Sequence, residues 1–253
     1  LRLAGGEVLE APYVLLGCAP GTLPGLLGGG ASTRPEGSQT KINLVLRRLP
    51  RLRSGVSAET AFGGTLHLGQ GYRRLAAAYA EAEAGQIPDP LPCEVYCHSL
   101  TDDSILGPGP RAAGWHTLTL FGLHTPARLF VPDPDGARSR AEAAALRSLQ
   151  AVLAEPLEDC LARDATGRPC VETLTPLDLE RELGLPGGHI FHGDLAWPWL
   201  ADDQVPAGAA ARWGVATAHP GILLAGSGAV RGGAVSGIAG HSAACAVLEE
   251  AER

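Results

Sequence analysis

The chain is 253 residues long, 45% hydrophobic and 19% charged, with a formal net charge of −7. That length provides for an apolar core in one large domain or two small ones. The acidic balance and the lack of any sustained Lys/Arg block exclude nucleic acid or an anionic membrane as an electrostatic partner, and no apolar run reaches the ~20 residues that span a bilayer.

In chain order, Arg2-Leu3-Ala4, a Gly5-Gly6 turn and an apolar run from Val8 to Leu16 predict a β-hairpin. Thr22 to Leu27 predicts one helical turn, and the Gly/Ser/Thr-rich stretch 28–39 a loop. Alternation of Ile42, Leu44 and Leu46 within 41–49 has the period of a half-buried strand. A short strand is expected at 64–68. A helix follows from Tyr72 to Glu83, with Gly85 ending it. Two more strands are expected at 94–100 and 115–123, on either side of Gly107-Pro-Gly-Pro110. Residues 139–155 read as the longest helix, with Ala144, Leu146, Leu149, Val152 and Leu153 apolar. Thr175-Pro-Leu-Asp178 has the form of a helix start, and Gly184 of its end. Near the terminus a strand at 221–225 runs into the glycine-rich stretch 226–240, and a helix is expected to start near Gly233 to Ser236.

Strand, glycine turn and helix together point backbone N–H groups and a positive dipole end at an electron-rich ligand. Gly226 and Gly228 are followed by Gly232 rather than by a glycine at 231, and too little chain follows to complete a βαβ unit. The segment therefore reads as the closing piece of a cofactor domain whose opening piece lies elsewhere. The chain contains no methionine and begins at Leu1, which leads to the same expectation of a missing N-terminal part.

The six cysteines, Cys18, Cys93, Cys97, Cys160, Cys170 and Cys245, are scattered in a chain that does not need disulfides, which suits a reducing, cytoplasmic setting. Cys93 and Cys97 would share one face of a strand about 13 Å apart, too far to hold one metal. No metal is expected. Gly-x-Ser-x-Gly and Walker motifs are lacking, and Gly69-Gln-Gly71 fails as a dinucleotide turn. The densest polar cluster is Gly187-Gly-His-Ile-Phe-His-Gly-Asp194, followed by Trp197 and Trp199. His189, His192 and Asp194 there suit a loop against a planar ligand, with metal ligation or purely structural histidines as the other readings.

At these residues the chain resembles the C-terminal half of the phytoene desaturase-like FAD-dependent oxidoreductases, within them the pyridine nucleotide-disulfide oxidoreductase domain-containing protein 2 group. The matching runs include Glu10-Ala-Pro-Tyr-Val-Leu-Leu, Thr40-Lys-Ile-Asn-Leu, Ser99-Leu-Thr-Asp-Asp103 and Gly114-Trp-His-Thr. They continue with Leu174-Thr-Pro-Leu-Asp-Leu-Glu180, Gly184-Leu-Pro-Gly-Gly-His-Ile-Phe-His192 and Leu224-Ala-Gly-Ser-Gly228. The family tail usually reads Ala-His-Pro-Gly-Gly-Gly-Val, then Arg-Asn-Ala-Ala; this chain has Ala229-Val-Arg-Gly-Gly-Ala-Val235 and His241-Ser-Ala-Ala244.

The order of strands and helices, with no strict βαβ rhythm, reads as an α+β fold with a mixed sheet and covering helices. The resemblance makes 28–215 the substrate domain and gives the hairpin (1–27) and strand-turn-helix (216–253) to an incomplete Rossmann-like FAD domain. It implies flavin contacts at Gly226, Ser227, Gly228, Gly232, Gly233, Ala234 and Val235, with His189, His192 and Asp194 near substrate or flavin. It implies an oxidoreductase acting on a small apolar substrate and holding FAD only with an N-terminal Rossmann half or partner chain; residues 1–253 alone are expected to be empty and inactive. A non-catalytic remnant or binding module that never holds FAD is the rival reading, and self-association is left open.

Overall fold

In the computed structural model, which describes residues 1–30, 34–193, 205–230 and 236–252, the chain divides into two units. One unit joins Leu1–Pro35 to Gly184–Arg253, and the other is Glu36–Leu183. The first unit begins differently from expectation. The hairpin reduces to a single antiparallel bridge from Arg2 to Val8, around a turn with Gly6 at φ +87°. Its second strand shortens to β1, Val14–Leu16. Pro12, which has no N–H to give a ladder, precedes it. The predicted helical turn is α1, Leu23–Leu26.

The second unit supplies β2 (Thr40–Leu46), α2 (Ala58–Phe62), β3 (Leu66–Leu68), α3 (Tyr72–Glu83), β4 (Cys93–Tyr96) and α4 (Pro108–Ala112). It continues with β5 (His116–Gly122), α5 (Pro134–Gln150), β6 (Val171–Leu174) and α6 (Pro176–Leu183). Its five strands pair in the order β3-β4-β5-β2-β6. Every pairing is antiparallel, so the mixed sheet expected here is corrected to an antiparallel one. β5 and β6 run in the same direction and are joined through α5, but β2 lies between them, so no two neighbouring strands are parallel.

The alternation read in the sequence decides which face is covered. Thr40, Ile42, Leu44 and Leu46 are buried while Lys41, Asn43 and Val45 are half-buried. The buried row joins Leu118, Leu120, Cys93 and Val95 from neighbouring strands and Ala144, Ala145 and Leu149 from α5 in one core. Burying each large aliphatic side chain there contributes roughly 1.5–3 kcal/mol. Helix α5 starts earlier than predicted because Asp133 accepts the Gly136 N–H (3.1 Å) as N-cap and Pro134 fills the first turn. It ends before Val152 and Leu153, and Leu153 forms an antiparallel bridge with Leu52.

Two buried or shielded carboxylates hold the loops of this unit. Glu155, whose side chain is 11% exposed, accepts from Arg48 Nη1 (2.7 Å) and the Arg51 backbone N–H (2.8 Å). Asp178, 3% exposed, accepts from the Thr175 N–H and hydroxyl (2.8 Å each) and from Arg138 and Arg181. Asp178 completes the cap of α6, as expected, by reaching back to the Thr175 N–H and hydroxyl, the reciprocal arm of a capping box.

The first unit resumes with α7 (Gly208–Arg212), β7 (Ile222–Leu224) and α8 (Ile238–Ala251). β1 and β7 are parallel, with Val14 opposite Ile222 and Leu16 opposite Leu224. α8 starts at Ile238, later than expected, because Gly237 at φ +70° stands at its N-cap in a left-handed conformation that no helix continues. The core here is built largely of small residues: Ala209, Ala229, Ala239, Ala243 and Ala246 around Val215 and Leu223. No helix among the described residues is long and apolar enough to cross a membrane.

Hydrogen bonds from Arg48 and the Arg51 backbone hold Glu155 down from its ordinary 4.5 to about 2. Burial pushes Asp178 up, but the Thr175 hydrogen bonds and then Arg138 and Arg181 outweigh it and leave it below 3.8. Both contributions to stability are complete above about pH 4.5 and are lost as pH falls through the folded-state values. Glu155→Gln should therefore lower the melting temperature at pH 7 and flatten its fall between pH 4.5 and about 2, read by thermal melts across that range. Asp178→Ala, which takes the acceptor from the Thr175 N–H and hydroxyl and leaves Arg138 with only the exposed Asp135, should cost about 2–4 kcal/mol in denaturant unfolding.

Candidate functional site

The site builds from the parallel pair in the first unit. Val14 N–H donates to Gly221 O (2.8 Å) and Ala225 N–H to Leu16 O (2.7 Å), so the carboxyl ends of β1 and β7 finish side by side. Ligands of parallel sheets bind outside carboxyl ends. The chain leaves β7 through Ala225-Gly-Ser-Gly228, and the glycines there are required by close approach. A Cβ on Gly226 would lie 2.8 Å from Gly17 O, and one on Gly228 would lie 2.4 Å from Pro20 Cδ and 3.4 Å from the His192 ring.

His192 reaches this turn from the 184–193 segment. Its backbone is left-handed at φ +64°, a conformation costing a non-glycine residue about 1–2 kcal/mol. Its Nε2 lies 2.7 Å from Ser227 Oγ, while its Nδ1 is buried and has no hydrogen-bond partner among the described residues. Burial, and then the neighbouring His189, push the His192 imidazole below the ordinary histidine value, which favours the neutral ring. His189 turns elsewhere: its Nδ1 accepts the Phe191 N–H (3.1 Å) and its ring meets Phe191 edge-on.

Of the residues expected in the site, Gly226, Ser227, Gly228 and His192 come together, with His189 nearby in sequence but engaged with Phe191. Asp194, Gly232, Gly233, Ala234 and Val235, like Trp197, Trp199 and Arg231, lie outside the described residues. Gly17 and Pro20 escaped the sequence reading, although a glycine at the end of an apolar strand was the signal for such an approach.

The second unit carries a groove of about 510 Å³ between residues 85–89 and α5. Its Arg147 and Arg140 are already paired with Asp89 and Asp133. All six cysteines are free; Cys93 and Cys97 sit in the sheet core, where burial pushes the Cys93 thiol up to about 12. Among the described residues no three His, Cys, Asp or Glu side chains gather as metal ligands.

No family model matches the chain. It is 54% identical over 243 residues to uncharacterized proteins of Mycobacterium bovis and Mycobacterium tuberculosis, covering 96% of this chain and 45% of theirs. It is 30% identical over 273 residues to the pyridine nucleotide-disulfide oxidoreductase domain-containing protein 2 of Rattus norvegicus, covering 98% of this chain and 43% of that one. The Mus musculus protein of the same name is 32% identical over 222 residues. The chain thus spans less than half the length of these relatives, and its distant relationship is to oxidoreductase-like proteins.

The contacts at the turn make a contrast testable. Gly226→Ala and Gly228→Ala force a carbon against backbone or a proline ring, and each should destabilise the first unit by about 1–3 kcal/mol. Gly240→Ala in α8, where the new carbon would sit 3.6 Å from Ala225 O, should be neutral or stabilise by up to about 1 kcal/mol. Thermal melts of the three variants give the comparison.

Proposed function

We propose that this chain is the C-terminal part of a flavin-dependent oxidoreductase. The observation that carries the reading is the pairing of His192 with Ser227 beside the carboxyl end of a parallel strand, with the imidazole Nδ1 buried and without a hydrogen-bond partner among the described residues. Distant similarity to proteins named for a pyridine nucleotide-disulfide oxidoreductase domain supports it.

These residues fit one end of a cofactor such as FAD. A ring or chain lying past β7 would meet Ser227 and the turn glycines, and would cover the His192 edge. They do not supply the other end, since the described residues hold no Gly-x-Gly-x-x-Gly turn for a pyrophosphate. An N-terminal Rossmann half would provide it. Exposed Leu3, Val8, Leu9 and Leu15 in the first unit support an additional covering segment there.

When bound, the flavin would accept hydrogen from a small apolar substrate. The part of this chain is to hold and orient: Ser227 offers a hydroxyl, and the Gly226-to-Gly228 turn lets the strand end approach closely. A binding module without flavin is the second reading. It is favoured by the glycine contacts, because Gly17 and Pro20 already account for Gly226 and Gly228 with no ligand present.

Titration with FAD followed by visible absorbance separates the two. Residues 1–253 alone should bind weakly or not at all, and the same chain joined to its Rossmann half should carry about one flavin. A joined protein that stays colourless in excess FAD overturns the flavin reading.

A further inference from the structure

The His192–Ser227 contact has a direction that the chemistry of imidazole fixes. A neutral ring carries one N–H and one lone pair. His192 Nδ1 is buried and has no hydrogen-bond partner among the described residues, so whichever of the two it carries goes unsatisfied there. A buried N–H without an acceptor is the rarer and costlier defect, whereas an under-used acceptor is better tolerated. The proton therefore belongs on Nε2, which donates to Ser227 Oγ at 2.7 Å.

That assignment has a consequence for the serine. With Oγ accepting from His192, the hydroxyl proton of Ser227 is not used in this contact, and no other partner of Ser227 occurs among the described residues. Pro20 and His192 close in on the adjacent Gly228, and the left-handed backbone at His192 aims its ring at the turn.

We infer that His192 is a positioning residue that sets Ser227 as a hydrogen-bond donor to an acceptor atom of the bound cofactor. The inference rests on the flavin reading and adds to it the polarity of the contact: an electron-rich ring atom or carbonyl of the ligand faces Ser227.

Two measurements test it. The first needs no flavin: nitrogen NMR of residues 1–253 labelled at histidine, at pH 7, should show His192 protonated at Nε2. A proton on Nδ1, or a doubly protonated ring, overturns the inference. The second uses the protein joined to its Rossmann half, with FAD as probe. Ser227→Ala and His192→Leu should each weaken FAD binding about tenfold and shift the absorption maxima of the bound flavin. The double variant should be no worse than the poorer single one, since the two act as one unit. His192→Gln, whose amide can donate from near the Nε2 position, should restore most of the affinity and the spectrum.

If His192→Leu lowers only the melting temperature, with spectrum and affinity intact, the histidine is structural and the inference falls while the flavin reading stands. If the unsubstituted joined protein takes up no FAD, both fall.

Discussion

The first unit depends on one pairing, the three-residue parallel ladder between β1 and β7. It ties residues near the two ends of the chain and sets their carboxyl ends level. Everything in the candidate site follows from that level finish. The ladder continues to the Ala225–Leu16 hydrogen bond, and the next residue, Gly226, passes Gly17 so closely that only a hydrogen fits between them. β7 is also held on its other side, where Leu224 donates to Val215 O (2.8 Å) and Leu223 bridges Ala216. A strand paired on both sides leaves its exit little freedom, and Ser227 inherits a fixed position from it.

The two units are held by different means. The antiparallel sheet of the second buries rows of Leu, Ile and Val against α5, the kind of core that supplies most folding free energy. The alanine core of the first lets α8 approach β7 closely but removes far less apolar area from water for each residue. Stability is then uneven along the chain, and the elements that carry the candidate site are in the weaker unit. Such a site depends for its geometry on specific contacts at close range, of which the left-handed His192 is one.

The sequence made the second unit readable because its signals are local. The period-two run at 40–46, the helix formers from Tyr72 to Glu83 and the Thr175-to-Asp178 start each encode their own element within a few residues. The early start of α5 is also encoded, in Asp133-Pro134, upstream of the apolar positions that mark the rest of the helix. β1 was misread for the opposite reason: its partner is at the far end of the sequence, so the nearby Gly5-Gly6 turn suggested a hairpin that forms only one bridge. In the site, glycine spacing and the histidine-rich loop were visible from residue types. That His192 would meet Ser227 was not, because nothing local in either segment specifies a contact across 35 positions.

β2 and β6 are adjacent and antiparallel, with Lys41 opposite Leu174, so the polypeptide enters and leaves the second unit side by side. Closing the β1–β7 ladder from an unfolded chain would mean joining ends separated by all of residues 17–221, at an entropic cost that grows with the length of free chain. Once the sheet has formed, that long stretch no longer behaves as free chain; the open loop shrinks to residues 17–39 and 175–221. On loop-closure entropy alone, the ladder between the distant strands costs less to close once the antiparallel unit has formed.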